Sequence, residues 1–449
     1  MANILLITYY FPPRNSIPCR RVYAWAKYLK KIGHNVMVLT ADSPGDEAIN
    51  SFNVDLSGLE IYRLKYFDIL CGLMKVFKPS DFFCADKEVK NKKSWHICLA
   101  EKIFNPINAY FSSKGILFGC TRFPTFFEHW FLRAYKQAKQ IIKDHAIDVV
   151  ITSSPPPTIN LIGLYLKRKF KNILWLADHR DLWVDNPAHK GMFPFSILEN
   201  HFEKKCIAAS DVLTVVSACM VKKLSEKYPV KQPHIFCIEN GYDEDLLETI
   251  SRDKPFQKES VKTIVYSGTL YANRRSPEPL FKAIERDYDF FKNKIKIVFY
   301  GNYETRRILN KFSNIYPRHQ AIIEYGGFLS SADILKKENE ADALLFIEND
   351  KFDDGVYSGK IFEYMMFEKP IICVGINPGS SIGNMLEKTG LCFFCGDDIM
   401  KLEEVLRLLV NDNKINVSPD REYIKTFSRR SQVENLSAII ESYLNHIKR

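Results

Sequence analysis

The sequence predicts an α/β protein of two doubly wound domains, each a parallel sheet flanked by helices. Short β-branched or apolar runs alternate with helix-period stretches from the first residues onward, which is the pattern of βαβ units. The alternation stops after Asn240-Gly241, stays polar through about Lys262, and then restarts. A chain of 449 residues, 46% of them hydrophobic and 26% charged, is also too long for one ordinary core.

The run Asn3-Ile-Leu-Leu-Ile-Thr8 reads as a first strand: it is short, lacks a basic leader and a small-residue cleavage site, and leads into aromatic residues and prolines. An amphipathic stretch from about Arg20 to Lys31, then Gly33 and Val36-Met-Val-Leu39, completes a βαβ opening. Strand-like runs follow at 59–64, 148–152, 173–177, 212–216 and 235–238, with helical periodicity at 126–144, 158–169 and 196–209. Residues 65–122 interrupt this first domain, 1–250, with aromatic and basic segments. The second domain, 255–425, opens with Thr263-Ile-Val-Tyr-Ser267 and continues through runs at 295–300, 322–325, 343–347, 371–374 and 391–395. A last amphipathic stretch, about 429–446, has no strand after it and is expected to pack back onto the first domain.

Lys, Asp or Glu breaks every apolar run before the roughly 18 residues a membrane span needs, so the protein is expected in the cytoplasm. The net charge of +10 favours anionic partners without choosing among them. Basic residues form no dense run with interleaved aromatics, which argues against nucleic acid. The one C-x-x-C, Cys392-Phe-Phe-Cys395, lacks a second ligand pair for zinc and reads as buried strand thiols, so no metal is expected. Neither domain carries Gly-x-Gly-x-x-Gly after its first strand, which disfavours a dehydrogenase.

Doubly wound domains bind ligands at the carboxyl ends of their strands, and three such places stand out. In Ser267-Gly-Thr-Leu-Tyr-Ala-Asn-Arg-Arg275, Gly268 lets backbone N–H groups approach a diphosphate that Arg274 or Arg275 can neutralise, although such a turn is often only a solvated loop. In Asp353 to Pro370, a glycine-containing loop opens a helix, where Ser358, Gly359 and Lys360 offer N–H groups and a cation to an anion. Glu363, one turn further, can accept both hydroxyls of a ribose or simply answer the helix dipole. The third place is Leu176-Ala-Asp-His-Arg-Asp-Leu-Trp183 with Ser153-Ser-Pro-Pro-Pro157; four consecutive ionisable side chains are hard to bury and are expected to face a cleft.

Together these segments resemble the family-4 glycosyltransferases of the glycosyltransferase-B fold, in particular the bacterial cell-surface polysaccharide branch. The resemblance is carried by Tyr10-Phe-Pro-Pro13, Arg21, Gly33-His34, Ser153-Ser-Pro-Pro156, Asp178-His-Arg-Asp-Leu-Trp183, Val215-Val-Ser217, Asn240-Gly-Tyr-Asp243, Ser267-Gly268, Ala341-Asp342 and Gly359-Lys-Ile-Phe-Glu-Tyr364. It implies two Rossmann-like domains facing across a cleft and transfer, with retention and without a metal, of a hexose from a nucleotide-diphosphate sugar. The acceptor implied is a glycan or a polyprenyl-linked glycan. Glu363 would be the second acid of the family's Glu-seven-residues-Glu motif and hold the ribose; Gly268, Thr269, Arg274, Ser358, Gly359 and Lys360 would surround the diphosphate. Asp354, Arg180 and Asp181 would serve the transferred sugar, and Asn15, Ser16, Arg21 and Ser154 the acceptor.

Three departures from the pattern are visible. Gly355 stands where the first Glu of the motif belongs, with Asp353 and Asp354 the nearest carboxylates. Thr269 replaces the arginine of the diphosphate loop, and Asn15-Ser16 replace a glycine pair. Two other readings therefore stay open: a nucleotide-sugar epimerase of the same architecture, and a non-catalytic nucleotide-sugar-binding partner. The 65–122 insertion, with Leu73-Met-Lys-Val-Phe77, Phe82-Phe83 and Trp95, is either extra packing or a peripheral contact with the inner face of the cytoplasmic membrane.

Overall fold

The computed structural model describes residues 1–42, 52, 54–65, 122, 128–186, 191, 193–246, 261–271, 274–349, 355, 357–411 and 415–447. The first unit contains strands β1 (Asn3–Thr8), β2 (Asn35–Ala41), β3 (Glu60–Leu64), β4 (Val149–Ser154), β5 (Leu174–His179), β6 (Val212–Val215) and β7 (Ile235–Cys237). Between them run helices α1 (Ile17–Ile32), α2 (Glu128–Asp144), α3 (Thr158–Lys169), α4 (Phe195–Ala209) and α5 (Ala218–Lys227). The sheet order is β3-β2-β1-β4-β5-β6-β7, and every pair is parallel.

The second unit holds β8 (Lys262–Ser267), α6 (Glu278–Arg286), α7 (Tyr288–Phe291), β9 (Ile295–Tyr300), α8 (Tyr303–Ile315), β10 (Ile323–Gly327) and α9 (Ser331–Glu340). It continues with β11 (Ala343–Ile347), α10 (Gly359–Met365), β12 (Ile371–Val374), α11 (Ser381–Glu387), β13 (Cys392–Gly396), α12 (Ile399–Val410) and α13 (Arg421–Thr426). Its order, β10-β9-β8-β11-β12-β13, is again fully parallel. The last helix, α14 (Arg429–Ile447), belongs to the first unit, which otherwise ends at Asn240.

Parallel strands need both faces covered, so their residues read as nearly unbroken apolar runs. β1 shows this: every residue from Ile4 to Thr8 is buried. Helix α1 ends where Gly33 takes φ 110, a left-handed conformation in which its N–H reaches the Leu29 and Lys30 carbonyls. Helix α14 closes the first core by placing Val433, Leu436, Ile440 and Leu444 against Trp25, Tyr28 and Leu29 of α1. The second unit has a core on each sheet face, one under α6, α8 and α12 and one under α10, α11 and α13.

The fold class is the one the sequence predicted, two doubly wound parallel sheets. In each, the winding direction reverses at one place, between β1 and β4 and between β8 and β11, and there the strand ends splay into a crevice. Among the described residues no helix is long and apolar enough to cross a membrane. Apart from Lys65 and Arg122, the 65–122 insertion lies outside the described residues.

Candidate active site

In the first unit, β5 carries Asp178, His179 and Arg180 to the sheet's carboxyl end, and all three are buried. The run, expected to face a cleft because four such side chains are hard to bury, is instead buried at three of its four positions; of the four, only Asp181 is partly exposed. Pairing makes the burial possible. Asp178 accepts from Arg21 Nη2 at 2.9 Å and Nε at 3.3 Å, from Ser153 Oγ at 2.7 Å and from Thr214 Oγ1 at 2.9 Å. Burial works to raise its pKa, and Arg21 and Ser153 more than offset it, so the carboxyl stays below its ordinary value. His179 takes Asn160 Nδ2 at 3.0 Å and is held neutral, because burial pushes its pKa down.

Arg180 donates to the carbonyls of Ser154, at 2.9 Å, and Pro155, at 2.6 Å, leaving Nη1 without a partner. Arg21 also donates to the Glu239 carbonyl at 2.8 Å and lies over the Trp25 ring. Ser154 Oγ donates to the Asp178 carbonyl at 3.2 Å. Asn15 and Ser16, at the start of α1, are half-buried, with Asn15 Oδ1 accepting from Arg20 at 3.2 Å.

In the second unit, Ser267 and Gly268 end β8 beside the reversal point. Gly268 takes φ 144, and its carbonyl would lie 2.2 Å from any Cβ on Gly301. Gly301 needs glycine for this close approach and Gly268 for its positive φ. The Gly268 N–H, expected to face a phosphate, instead extends the sheet to the Tyr300 carbonyl at 2.9 Å. The Thr269 N–H has no partner among the described residues.

Arg274 and Arg275 converge on Glu348, one residue beyond β11: Arg274 Nε reaches Oε1 at 2.9 Å and Arg275 Nη2 reaches Oε2 at 2.7 Å. Burial alone would lower the Arg275 pKa, but Glu348 raises it on balance. Sequence reasoning missed Glu348, whose signal is a single acid directly after the apolar run Ala343 to Ile347 at the reversal point. A pocket of about 280 Å³ opens here, lined by Arg274, Glu348, Asn349, Gly375 and Asp397.

Helix α10 carries Lys360 and Glu363. Lys360 Nζ lies 2.8 Å from Glu363 Oε2 and 3.3 Å from Glu338 Oε1. Glu338, on α9, has no exposed surface, accepts Ser267 Oγ at 2.5 Å, and has one oxygen unpartnered. Burial pushes its pKa up, Lys360 opposing. Tyr364 Oη accepts the Ser267 N–H at 2.9 Å. The sequence-predicted Ser267 loop and Glu363 are thus brought together, through Glu338 and Tyr364, which sequence reasoning did not single out. Gly359 begins α10, and Ser358 at its N-cap makes no side-chain cap. Gly355 takes φ 81, where a side chain is strained. Asp353 and Asp354 lie outside the described residues. No group of three or more potential metal ligands occurs among the described residues.

Residues 111–246 match the family described as Glycosyltransferase Family 4. No curated protein matches the sequence. Among solved structures, Anabaena HepE in complex with UDP has a TM-score of 0.60 at 10% identity, covering 98% of this chain and 100% of that one. A glycosyltransferase from Rickettsia africae scores 0.58 at 14% identity, over 100% and 98% of the two chains. The UDP-GlcNAc 2-epimerase of Methanocaldococcus jannaschii scores 0.51 at 12%, over 98% and 99%. Over residues 111–246 the chain is therefore similar in sequence to glycosyltransferase family 4, and its two wound sheets have the glycosyltransferase-B fold.

Proposed function

We propose that the protein transfers a hexose, with retention of configuration, from a nucleotide-diphosphate sugar to a glycan or polyprenyl-linked acceptor, in lipopolysaccharide, capsule or exopolysaccharide synthesis. The observation that carries the reading is the network joining Glu363, through the half-buried Lys360 and the buried Glu338, to Ser267 at the reversal point of the second sheet. Here a carboxylate suited to a ribose lies beside the loop suited to a diphosphate.

As the bond from the sugar C1 to the β-phosphate oxygen breaks, its electrons pass to the phosphate. Arg274, Lys360 and the Thr269 N–H answer the growing charge. For this, Arg274 exchanges Glu348 and Lys360 exchanges Glu363 for phosphate oxygens. Glu363 is then free to accept the ribose hydroxyls. The acceptor hydroxyl bonds to C1 and its proton passes to the departing phosphate. Asp354, Arg180 and Asp181 are assigned to the transferred sugar, and Asn15, Ser16 and Ser154 to the acceptor. Arg21 is reassigned: with its guanidinium held by Asp178, it positions the ends of β5 and α1 rather than touching substrate.

The likeness to an epimerase fold keeps a second reading in view, in which a nucleotide sugar is converted without an acceptor. Product analysis by mass spectrometry and NMR, across a panel of nucleotide sugars with and without an acceptor extract, separates them. New α-linked product from an α-linked donor, formed only with acceptor, supports transfer with retention; an isomerised donor in the absence of acceptor replaces it with the epimerase.

A further inference from the structure

The first sheet has a reversal point of its own, between β1 and β4, where no ligand has yet been placed. Helix α1 starts beside it, a few residues after β1. Ser16, at its N-cap, makes no side-chain cap: its hydroxyl donates instead to Cys19 Sγ at 3.2 Å, and no acid stands in the first turn. A helix of 16 residues thus begins, uncapped by any side chain, with its positive end at the carboxyl end of the sheet.

Arginines gather at the same place. Burial pushes the Cys19 thiol up, and the charges opposing it are those of Arg14, Arg180 and Arg20, so all three guanidiniums surround the first turn of α1. Arg14 and Arg180 share a ring: their guanidinium carbons lie 4.7 and 5.8 Å from the centre of Tyr10. Among the described residues the Arg14 side chain makes no hydrogen bond or ion pair. Arg180 is 5% exposed and spends Nε and Nη2 on the carbonyls of Ser154 and Pro155, which leaves Nη1 buried and unpartnered. The carboxylates that act on Arg180 are Asp178, already held by Arg21, and Asp181. Like charges drawn together around a desolvated, unanswered N–H are costly unless an anion completes the group. Donors from two guanidiniums and a helix start suit the several oxygens of a phosphate better than a single carboxylate. The donor's diphosphate already has Arg274 and Lys360 for its charge in the transfer reading, so the phosphate here belongs to the other reactant.

We propose that Arg14, Arg180 and the start of α1 form an anion subsite for a phosphate group carried by the acceptor, which makes the acceptor a phosphate- or diphosphate-bearing glycan rather than a neutral one. Arg180 then meets the acceptor as well as the transferred sugar. The role of this ligand rests on the transfer reading; its binding does not. The test is calorimetric titration of the full chain with inorganic pyrophosphate, and separately with UDP, GDP and dTDP, for the wild type, Arg14→Glu, Arg14→Ala and Lys360→Glu, each with a melting curve. The wild type binds pyrophosphate at two sites. Arg14→Glu weakens one of them by about tenfold or more and leaves nucleoside diphosphate binding unchanged, while Lys360→Glu removes the other. Arg14→Ala, with a smaller loss, replaces the glutamate variant if that one melts lower. In the transfer assay Arg14→Ala raises the KM for the acceptor by about fivefold or more and not that for the donor. Pyrophosphate binding that neither Arg14 variant alters overturns the proposal. So does loss of nucleoside diphosphate binding, or a raised donor KM, in the Arg14 variants, because these cations then serve the donor. A single pyrophosphate site that Arg14→Glu removes and Lys360→Glu keeps upholds the subsite and removes the donor assignment instead.

Discussion

Asp178 sits at the end of β5 with no exposed surface, and its charge survives because Arg21, Ser153 and Thr214 each donate to it. Removing that charge while keeping the shape strands a buried guanidinium. Asp178→Asn is expected to destabilise the first unit by about 3 kcal/mol, read in a denaturant melt; a loss under about 1 kcal/mol means the pair contributes little. His179 gives the matching pH effect. Its folded pKa is depressed below 6.5, so its contribution is complete above 6.5 and erodes as pH falls below that value. His179→Gln, which has no imidazole to protonate, flattens the dependence of melting temperature on pH just below 6.5; parallel curves for variant and wild type contradict a neutral buried ring. In the sequence these residues were visible as a motif, but their burial was not, since it depends on Arg21 and Thr214, 157 and 36 residues away from Asp178. Glu348 and Glu338 escaped notice for the same reason: a lone acid becomes informative only when its distant partners are known.

Elements were far more legible. The runs read as strands at 295–300, 343–347 and 371–374 are strands with those bounds, because buried parallel strands are apolar throughout and short. What periodicity did not give was which side of α4 faces inward, since its buried side holds the carboxylates. Backbone conformation explains one departure from the family pattern. At φ 81, Gly355 has a left-handed conformation that a glutamate adopts at a cost of roughly 1–2 kcal/mol. Gly355→Glu, which restores the motif in letters, is therefore expected to lower the melting temperature without raising turnover. A variant that is as stable and faster shows that only the side chain, not the backbone, distinguishes this chain.

At the scale of the molecule, the strand orders β3-β2-β1-β4-β5-β6-β7 and β10-β9-β8-β11-β12-β13 create two reversal points, and the candidate donor residues gather at the second. The alternation of runs predicted the winding but could not give the order of strands, which follows from right-handed crossovers and packing over long separations. Helix α14 finishes the first core from the far end of the chain, so deletion of residues 429–449 exposes Val433's partners on α1 and is expected to leave the first unit aggregated or unfolded. A truncated chain with an unchanged melt contradicts that packing. The central claim is that a nucleoside diphosphate binds the second unit at Ser267–Arg275 and α10, with Glu363 on the ribose. Calorimetric titration of the full chain and of Glu363→Ala with UDP, GDP and dTDP tests it most directly. One of the three binds the wild type with one-to-one stoichiometry and binds a normally folded Glu363→Ala at least a hundredfold more weakly; no binding of any of them, or equal binding to both proteins, contradicts it.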